Sequence, residues 1–251
     1  MIPHLRVATW NCNNAMAEDG SIFPLSKGGG AELVLAGVDM LAAQEVPFIA
    51  GKPPEDFIAL LDGAGLKHVA QYVLSNAYNR EPLVDSGLVL AARWPLAHVA
   101  CHPFENPDLV AHVNESVWES HDKGYIVATL QVDGYSVSFT CTHLLPFVDF
   151  GVAIDSPPAS ASWNQLEIHA EKAASRSDIA VIAGDFNRNS STLGPLTSAA
   201  PGLETRDSRD AVDAIFVSPG VLVGSVRTIP TRSDHHLLIG DFGCSSSTTT
   251  Q

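Results

Sequence analysis

The chain is short of positive charge. Its 251 residues carry 14 Lys and Arg against 28 Asp and Glu, a formal net charge of −14. Such a surface repels phosphate backbones and lacks the basic stripe of a tight, nonspecific nucleic-acid binder. Cleavage of nucleic acid stays open, because a divalent metal in a site reverses the local field. Cysteine is scarce too. Cys12, Cys101, Cys141 and Cys244 show no close pairing and no CxxC spacing, so neither a zinc site nor a disulfide framework is indicated. Cys12 and Cys141 fall in strand-like segments, where a small buried thiol is the plain reading. No apolar run approaches the length of a membrane span, so stable membrane insertion is not expected. The opening "MIPHLRVATW" enters a strand pattern at once, without a charged n-region, apolar h-region or cleavage site. The expectation is a soluble, reduced, cytoplasmic protein. Pro/Gly-rich linkers are also lacking, and residues 20–30 and 146–162 read as loops. One α/β domain over residues 1–244 is expected. The tail 245–251, "SSSTTTQ", has nothing to bury and reads as disordered.

What is present is a succession of strand-like runs: "LRVATWNC", "VDMLAAQEV", "HVAQYVLS", "SGLVLAAR", "YIVATLQV", "YSVSFTCTHL", "IAVIAGDF", "DAIFVS" and "HHLLIGDF". Several are apolar on both faces, which suits strands covered on each side. Helical periodicity falls between them. Residues 53–64 align Phe57, Ile58, Leu60 and Leu61 with acids in the first turn, and residues 163–174 place Trp163, Leu166, Ile168 and Ala170 among Glu and Gln. Asp133-Gly134 between two alternating runs signals a hairpin.

One strand poses the functional question. "AVIAGDFNRN" (180–189) runs from apolar residues straight into Asp185 and Asn187, a carboxylate and an amide at the mouth of the core. The same happens in "TWNCN" with Asn11 and Asn13, in "LAAQE" with Gln44 and Glu45, in "TCTH" with His143, in "AVD" with Asp213, and in "RSDHH" with Asp234 and His235. Singly, each has an ordinary explanation. Acids at strand ends form turns or cap helices, and Asn near a turn satisfies backbone groups. Together they ask for more. Carboxylates with amide oxygens supply hard ligands for Mg²⁺. Two histidines can donate hydrogen bonds to phosphoryl oxygens or a proton to a leaving group. A remaining carboxylate can orient a water. Metal, base and acid make the kit for hydrolysing a phosphate ester.

In this order, "TWNCN", "QEV", "SGLVLAARWP", "CTHL", "GDFN", "VDAIFVS" and "SDHH" resemble the endonuclease/exonuclease/phosphatase superfamily over nearly the whole chain. The resemblance implies a four-layer α/β sandwich, two mixed sheets flanked by helices, with the site at one end. It implies Glu45 as the principal Mg²⁺ ligand (Mn²⁺ as a substitute), with Asn11 and Asp234 beside it and Asn13 as a weakened second contact. Asp185 resembles the residue that orients or deprotonates the attacking water, and Asn187 the amide that steadies the phosphoryl group. Asp213 resembles the carboxylate that holds His235, and His235 the imidazole that contacts the scissile phosphate. A His at position 143 is similar to pancreatic-type deoxyribonucleases and sphingomyelinase-like members. There it pairs with a carboxylate just before the "SGLVLAA"-like strand, the place Asp85 occupies here; a turn residue is the equal alternative for Asp85.

Substrate is not settled by fold or chemistry. A nuclease acting on DNA or RNA is favoured by His143 with Asp85 and by Arg80 in "YNREP", which could meet a phosphate. The net charge speaks against it. A phosphodiesterase or phosphatase for a small molecule or lipid headgroup is the alternative, with Phe147, Phe150 and Val152 in the loop after His143 either covering substrate or packing on the sandwich. A noncatalytic binding module would have been expected to lose Glu45, Asp185 or His235, and it has lost none of them.

Overall fold

Strands that are apolar on both faces must be covered on both, and the chain does so by stacking two sheets between helices. The computed structural model describes residues 4–28, 37–76, 83–113, 116–200 and 212–244. In chain order the elements are β1 (Leu5–Asn11), β2 (Met40–Phe48), α1 (Glu55–Gly63), β3 (His68–Asn76), β4 (Asp85–Ala92), β5 (Ala97–Pro103), β6 (Val110–Val113), β7 (Ser116–Glu119), β8 (Gly124–Val132), β9 (Tyr135–His143), α2 (Pro157–Arg176), β10 (Ile179–Asp185), β11 (Thr192–Leu193), β12 (Leu196–Ser198), β13 (Asp213–Val217), β14 (Val221–Ile229) and β15 (Leu237–Cys244).

One sheet has the order β14-β15-β1-β2-β4-β3, the other β11-β12-β13-β10-β9-β8-β5, and β6 and β7 form a separate hairpin. Both sheets are mixed: β1 runs parallel to β2 and β9 parallel to β10, while their other pairings are antiparallel. Three apolar clusters bind the layers. Leu88, Leu90, Ile126, Phe139 and Val181 fill the space between the sheets. Phe57 and Leu61 of α1 pack on Trp10, Leu41 and Val89 outside the first sheet. Trp163, Leu166 and Ala170 of α2 pack on Ala180, Ile182 and Phe216 outside the second. The expected four-layer sandwich is the fold.

Local details follow the sequence. The hairpin turn between β8 and β9 takes positive φ at Asp133 (49°) and Gly134 (87°), the geometry a two-residue turn needs to match strand twist. α2 begins six residues earlier than the apolar period indicated, because Pro157 and Pro158 occupy its first positions. Proline fits there: its fixed φ suits a helix and its missing N–H would have no partner anyway. Phe147 is buried with Leu145 and Ala159, and Phe150 and Val152 pack against that group. Cys12 and Cys141 are buried free thiols, and burial pushes Cys141 up to about 12 and Cys12 well above its ordinary value. The tail and Arg80 lie outside the described residues.

Gly184 of β10 lies beside Thr142 of β9. A Cβ at this position would run into the Thr142 carbonyl. Gly184→Ala is therefore expected to destabilise the protein by about 1–3 kcal/mol, the usual range for overpacking, seen as a lower urea midpoint at unchanged slope. An unchanged midpoint would contradict this strand spacing.

Candidate active site

Side chains along a strand alternate between faces, so a row facing the inter-sheet core keeps facing it to the strand's end. On β9, Val137, Phe139 and Cys141 belong to that core and His143 continues the row; on β10, Ile179, Val181 and Ala183 lead to Asp185. On β13, Asp213 precedes core residues Ile215 and Val217. In the first sheet, Leu5 and Val7 lead along β1 to Asn11, and Met40 and Ala42 along β2 to Gln44. Apolar rows thus end in polar groups at one end of the sandwich. Register aligns them, with Asp185 beside His143 on one strand and Asp213 on the other, and Asn11 beside Gln44.

Asp185 is at the centre. Its Oδ2 accepts from Asn11 Nδ2 at 2.9 Å and its Oδ1 from the backbone N–H of Asn187 at 2.9 Å. Nε2 of His143 lies 3.4 Å from Oδ2, and Nε2 of His235 lies 3.8 Å from it. On the far side of His235, Nδ1 donates to Asp213 Oδ2 at 2.7 Å. Burial disfavours the charged carboxylate of Asp185, and the nearby Asp213 charge adds to this, raising it to about 7. Burial also works against a charged His235, yet the Asp213 carboxylate more than offsets it and holds His235 cationic, at about 10. Asn187 is fixed further by donating Nδ2 to the Leu144 carbonyl at 2.7 Å.

A second group gathers at Glu45. Between Ala43 and Val46 the ladder of β2 slips by a bulge, and Glu45 takes a φ of 47° there. Bulges re-aim side chains, and this one turns the carboxylate into the cleft. Lys123 Nζ donates to Glu45 Oε1 at 3.1 Å and lies 3.2 Å from the ring nitrogens of His143, while Asn14 Nδ2 donates to Glu45 Oε2 at 3.2 Å. Burial pushes Glu45 up, but the Lys123 charge and hydrogen bond outweigh it and leave the carboxyl below its ordinary value. For His143, burial and then the Lys123 charge act together and hold the imidazole neutral, well below its ordinary value. Asn13 (43°), Asn14 (50°) and Asn187 (47°) also take positive φ.

The donors suit a hard divalent cation. Glu45 is ionised and already has a cation against it, and Asn13 and Asp234 line the same cleft; oxygen ligands of this kind match Mg²⁺. Among the described residues, Asp185, Asp213 and His235 are the group of acids and histidines whose ligand atoms come within 4.8 Å of one another. A metal ligand must be deprotonated, so while His235 is cationic this group serves better as a hydrogen-bonded chain than as a metal cage.

One sequence expectation needs correction. Asp85 does not pair with His143. Its register partner is Phe48, whose side chain faces the α1 side, so Asp85 stands on that side and Ser86 faces the cleft. The Lys123 ammonium stands on the flank of His143 instead, where burial and that charge hold the imidazole neutral. Lys123 and Asn14 were missed. Asn14 stands next to Asn13 in "NCNN", and Lys123 sits in "HDKG" just before β8, where a lone Lys before a strand carries no pattern.

Two mixed sheets whose core rows converge in carboxylates, amides and histidines define a phosphoesterase sandwich. A family model described as the Endonuclease/Exonuclease/phosphatase family matches residues 8–235, and the chain belongs to that family of metal-dependent phosphoester hydrolases. Solved structures agree at the level of fold. The endonuclease/exonuclease/phosphatase from Beutenbergia cavernae DSM 12333 is 19% identical, covers 96% of this chain and 72% of its own, and has a TM-score of 0.65. The human nocturnin catalytic domain with bound sulfate is 19% identical over 97% of this chain and 94% of its own, at 0.65. Sphingomyelinase C from Streptomyces griseocarneus is 18% identical over 95% and 99%, at 0.56. No curated protein matches the chain.

His235 and Asp213 act as a unit in this geometry, and groups that act as a unit are not additive. Asp213→Asn and His235→Gln are each expected to lower kcat about 10²–10⁴-fold, with the double variant little worse than the weaker single. Multiplicative losses in single-turnover rates would show that the two work independently.

Proposed function

We propose that the protein is a Mg²⁺-dependent phosphodiesterase for a compact phosphate ester, with Mn²⁺ as a substitute, rather than a nuclease. The charge of the cleft carries this reading. The cleft has a volume of about 1010 Å³, and its lining includes Glu18, Glu45, Glu119, Asp122, Asp149 and Asp234 against one lysine, Lys123. A polyanion gains affinity by exchanging counterions for Lys and Arg, and this lining offers little to exchange. A volume of that size suits a small molecule or a headgroup, and apolar Val117, Trp118 and Phe150 in the lining suit an uncharged body. One structural neighbour is a sphingomyelinase C, which fits the same reading.

The residues divide the work. Asp185, held by Asn11 and Asn187 and raised by burial, orients the attacking water and takes its proton. Cationic His235, fixed by Asp213, stabilises charge on a phosphoryl oxygen, and Asn187 steadies the same group. Lys123, beside neutral His143, offers a second positive charge to the ester. When bound by Glu45 with Asn11 and Asp234, Mg²⁺ would add charge neutralisation at the phosphoryl oxygens.

Bis-p-nitrophenyl phosphate, plasmid DNA and RNA, each with Mg²⁺ and with chelator, form the test. The diester is expected to turn over only with metal, with DNA and RNA left intact. Glu45→Gln should lose at least about 10²-fold in rate at an unchanged melting temperature, and calorimetry should show weaker Mg²⁺ binding. Duplex DNA should bind with a log–log salt slope no steeper than about −3, the value for about three phosphate contacts. Efficient DNA cleavage, or wild-type turnover in Glu45→Gln, would overturn the reading.

A further inference from the structure

Outside the cleft, α2 leaves part of the second sheet uncovered. Its apolar stripe packs over β10 and β13, while its flank looks across β8 towards the edge strand β5. A groove of about 510 Å³ runs between them, lined by Ile168, His169, Lys172 and Arg176 of the helix and by His102 and Tyr125 of the strands.

The groove's charge is opposite to the protein's. No Asp or Glu lines it, although acids outnumber Lys and Arg by 28 to 14 in the chain. Lys172 and Arg176 are exposed, one turn apart on the same helix flank, and among the described residues neither forms an ion pair. Three basic side chains elsewhere do meet acids: Arg6 pairs with Asp241, Arg93 with Asp39 and Lys123 with Glu45. The walls are fixed. His102 stacks on Tyr125 with ring centroids 4.7 Å apart, Tyr125 meets His169 at 4.7 Å, and His169 Nε2 is hydrogen-bonded to Thr140 Oγ1 at 2.8 Å. Burial, then the charges of His102 and Lys172, hold His169 down to about 4. Lys172 and Arg176 therefore line a groove that brings no carboxylate of its own to meet them.

We propose that this groove is a second binding site, for a small organic anion whose acid group lies between Lys172 and Arg176 and whose apolar body rests on Ile168 and Thr129. Charge complementarity selects an anion, and the volume selects a small one. A fixed, preformed wall lowers the ordering cost of binding. The chain's net charge of −14 turns away large polyanions while leaving this local attraction intact.

The test compares two probes of the same shape on the full chain: 8-anilinonaphthalene-1-sulfonate, which carries one anionic group, and N-phenyl-1-naphthylamine, which carries none. The sulfonate is expected to bind at one saturable site at least tenfold more tightly than the amine. Histidine ring signals of His102 and His169 should move in the titration while those of His143 and His235 stay. Lys172→Gln with Arg176→Gln should weaken sulfonate binding at least tenfold, with diester hydrolysis and melting temperature unchanged. Lys172→Glu alone, on an exposed helix position, gives a second variant expected to abolish binding. Equal affinity for both probes, shifts at His143 and His235 instead, or variants that bind as the parent does would each overturn the proposal.

Discussion

The register of β10 is the constraint on which the rest depends. All seven of its residues are buried, and it lies parallel to β9 on one side and antiparallel to β13 on the other. A slip of one residue would turn Ile179, Val181 and Ala183 out of the inter-sheet core. The same slip would take Asp185 away from His143 and Asp213. Core packing and site geometry are therefore one requirement, and the apolar residues enforce the position of the polar ones.

Charge is the second requirement, and it is met locally. Two cations stand among the carboxylates at this end of the sandwich. His235 bridges Asp213 and Asp185, and Lys123 holds Glu45. Each cation also sets the state of a neighbour. Burial, aided by the Lys123 charge, keeps His143 neutral, Lys123 keeps Glu45 ionised, and Asp213 holds His235 cationic, so the two histidines stand in opposite protonation states.

Most of this was legible in the sequence for a physical reason. Strands buried on both faces are conspicuous, and a polar residue ending such a run stands out; Asn11, Glu45, His143, Asp185 and Asp213 were all found that way. The edge strands β5 and β14 were not. β5 and β14 are largely exposed, so no apolar alternation marks them, and β11 and β12 are too short to show a period. Asp85 misled because a carboxylate at the start of a strand looks alike whichever face it takes; its pairing with Phe48 shows that it faces away. Lys123 was invisible because its meaning lies in Glu45, 78 positions away.

The left-handed backbone at Asn13, Asn14, Glu45 and Asn187 has an evolutionary consequence. Each such residue holds a conformation that costs on the order of 1 kcal/mol or more for a side chain bearing a Cβ. Glycine would relieve that strain at every one of these places. Selection for heat tolerance alone therefore pulls the chain towards glycine where its chemistry resides, while the apolar rows behind have little left to gain. A lineage that hardened without pressure on turnover would keep the sandwich and empty its mouth.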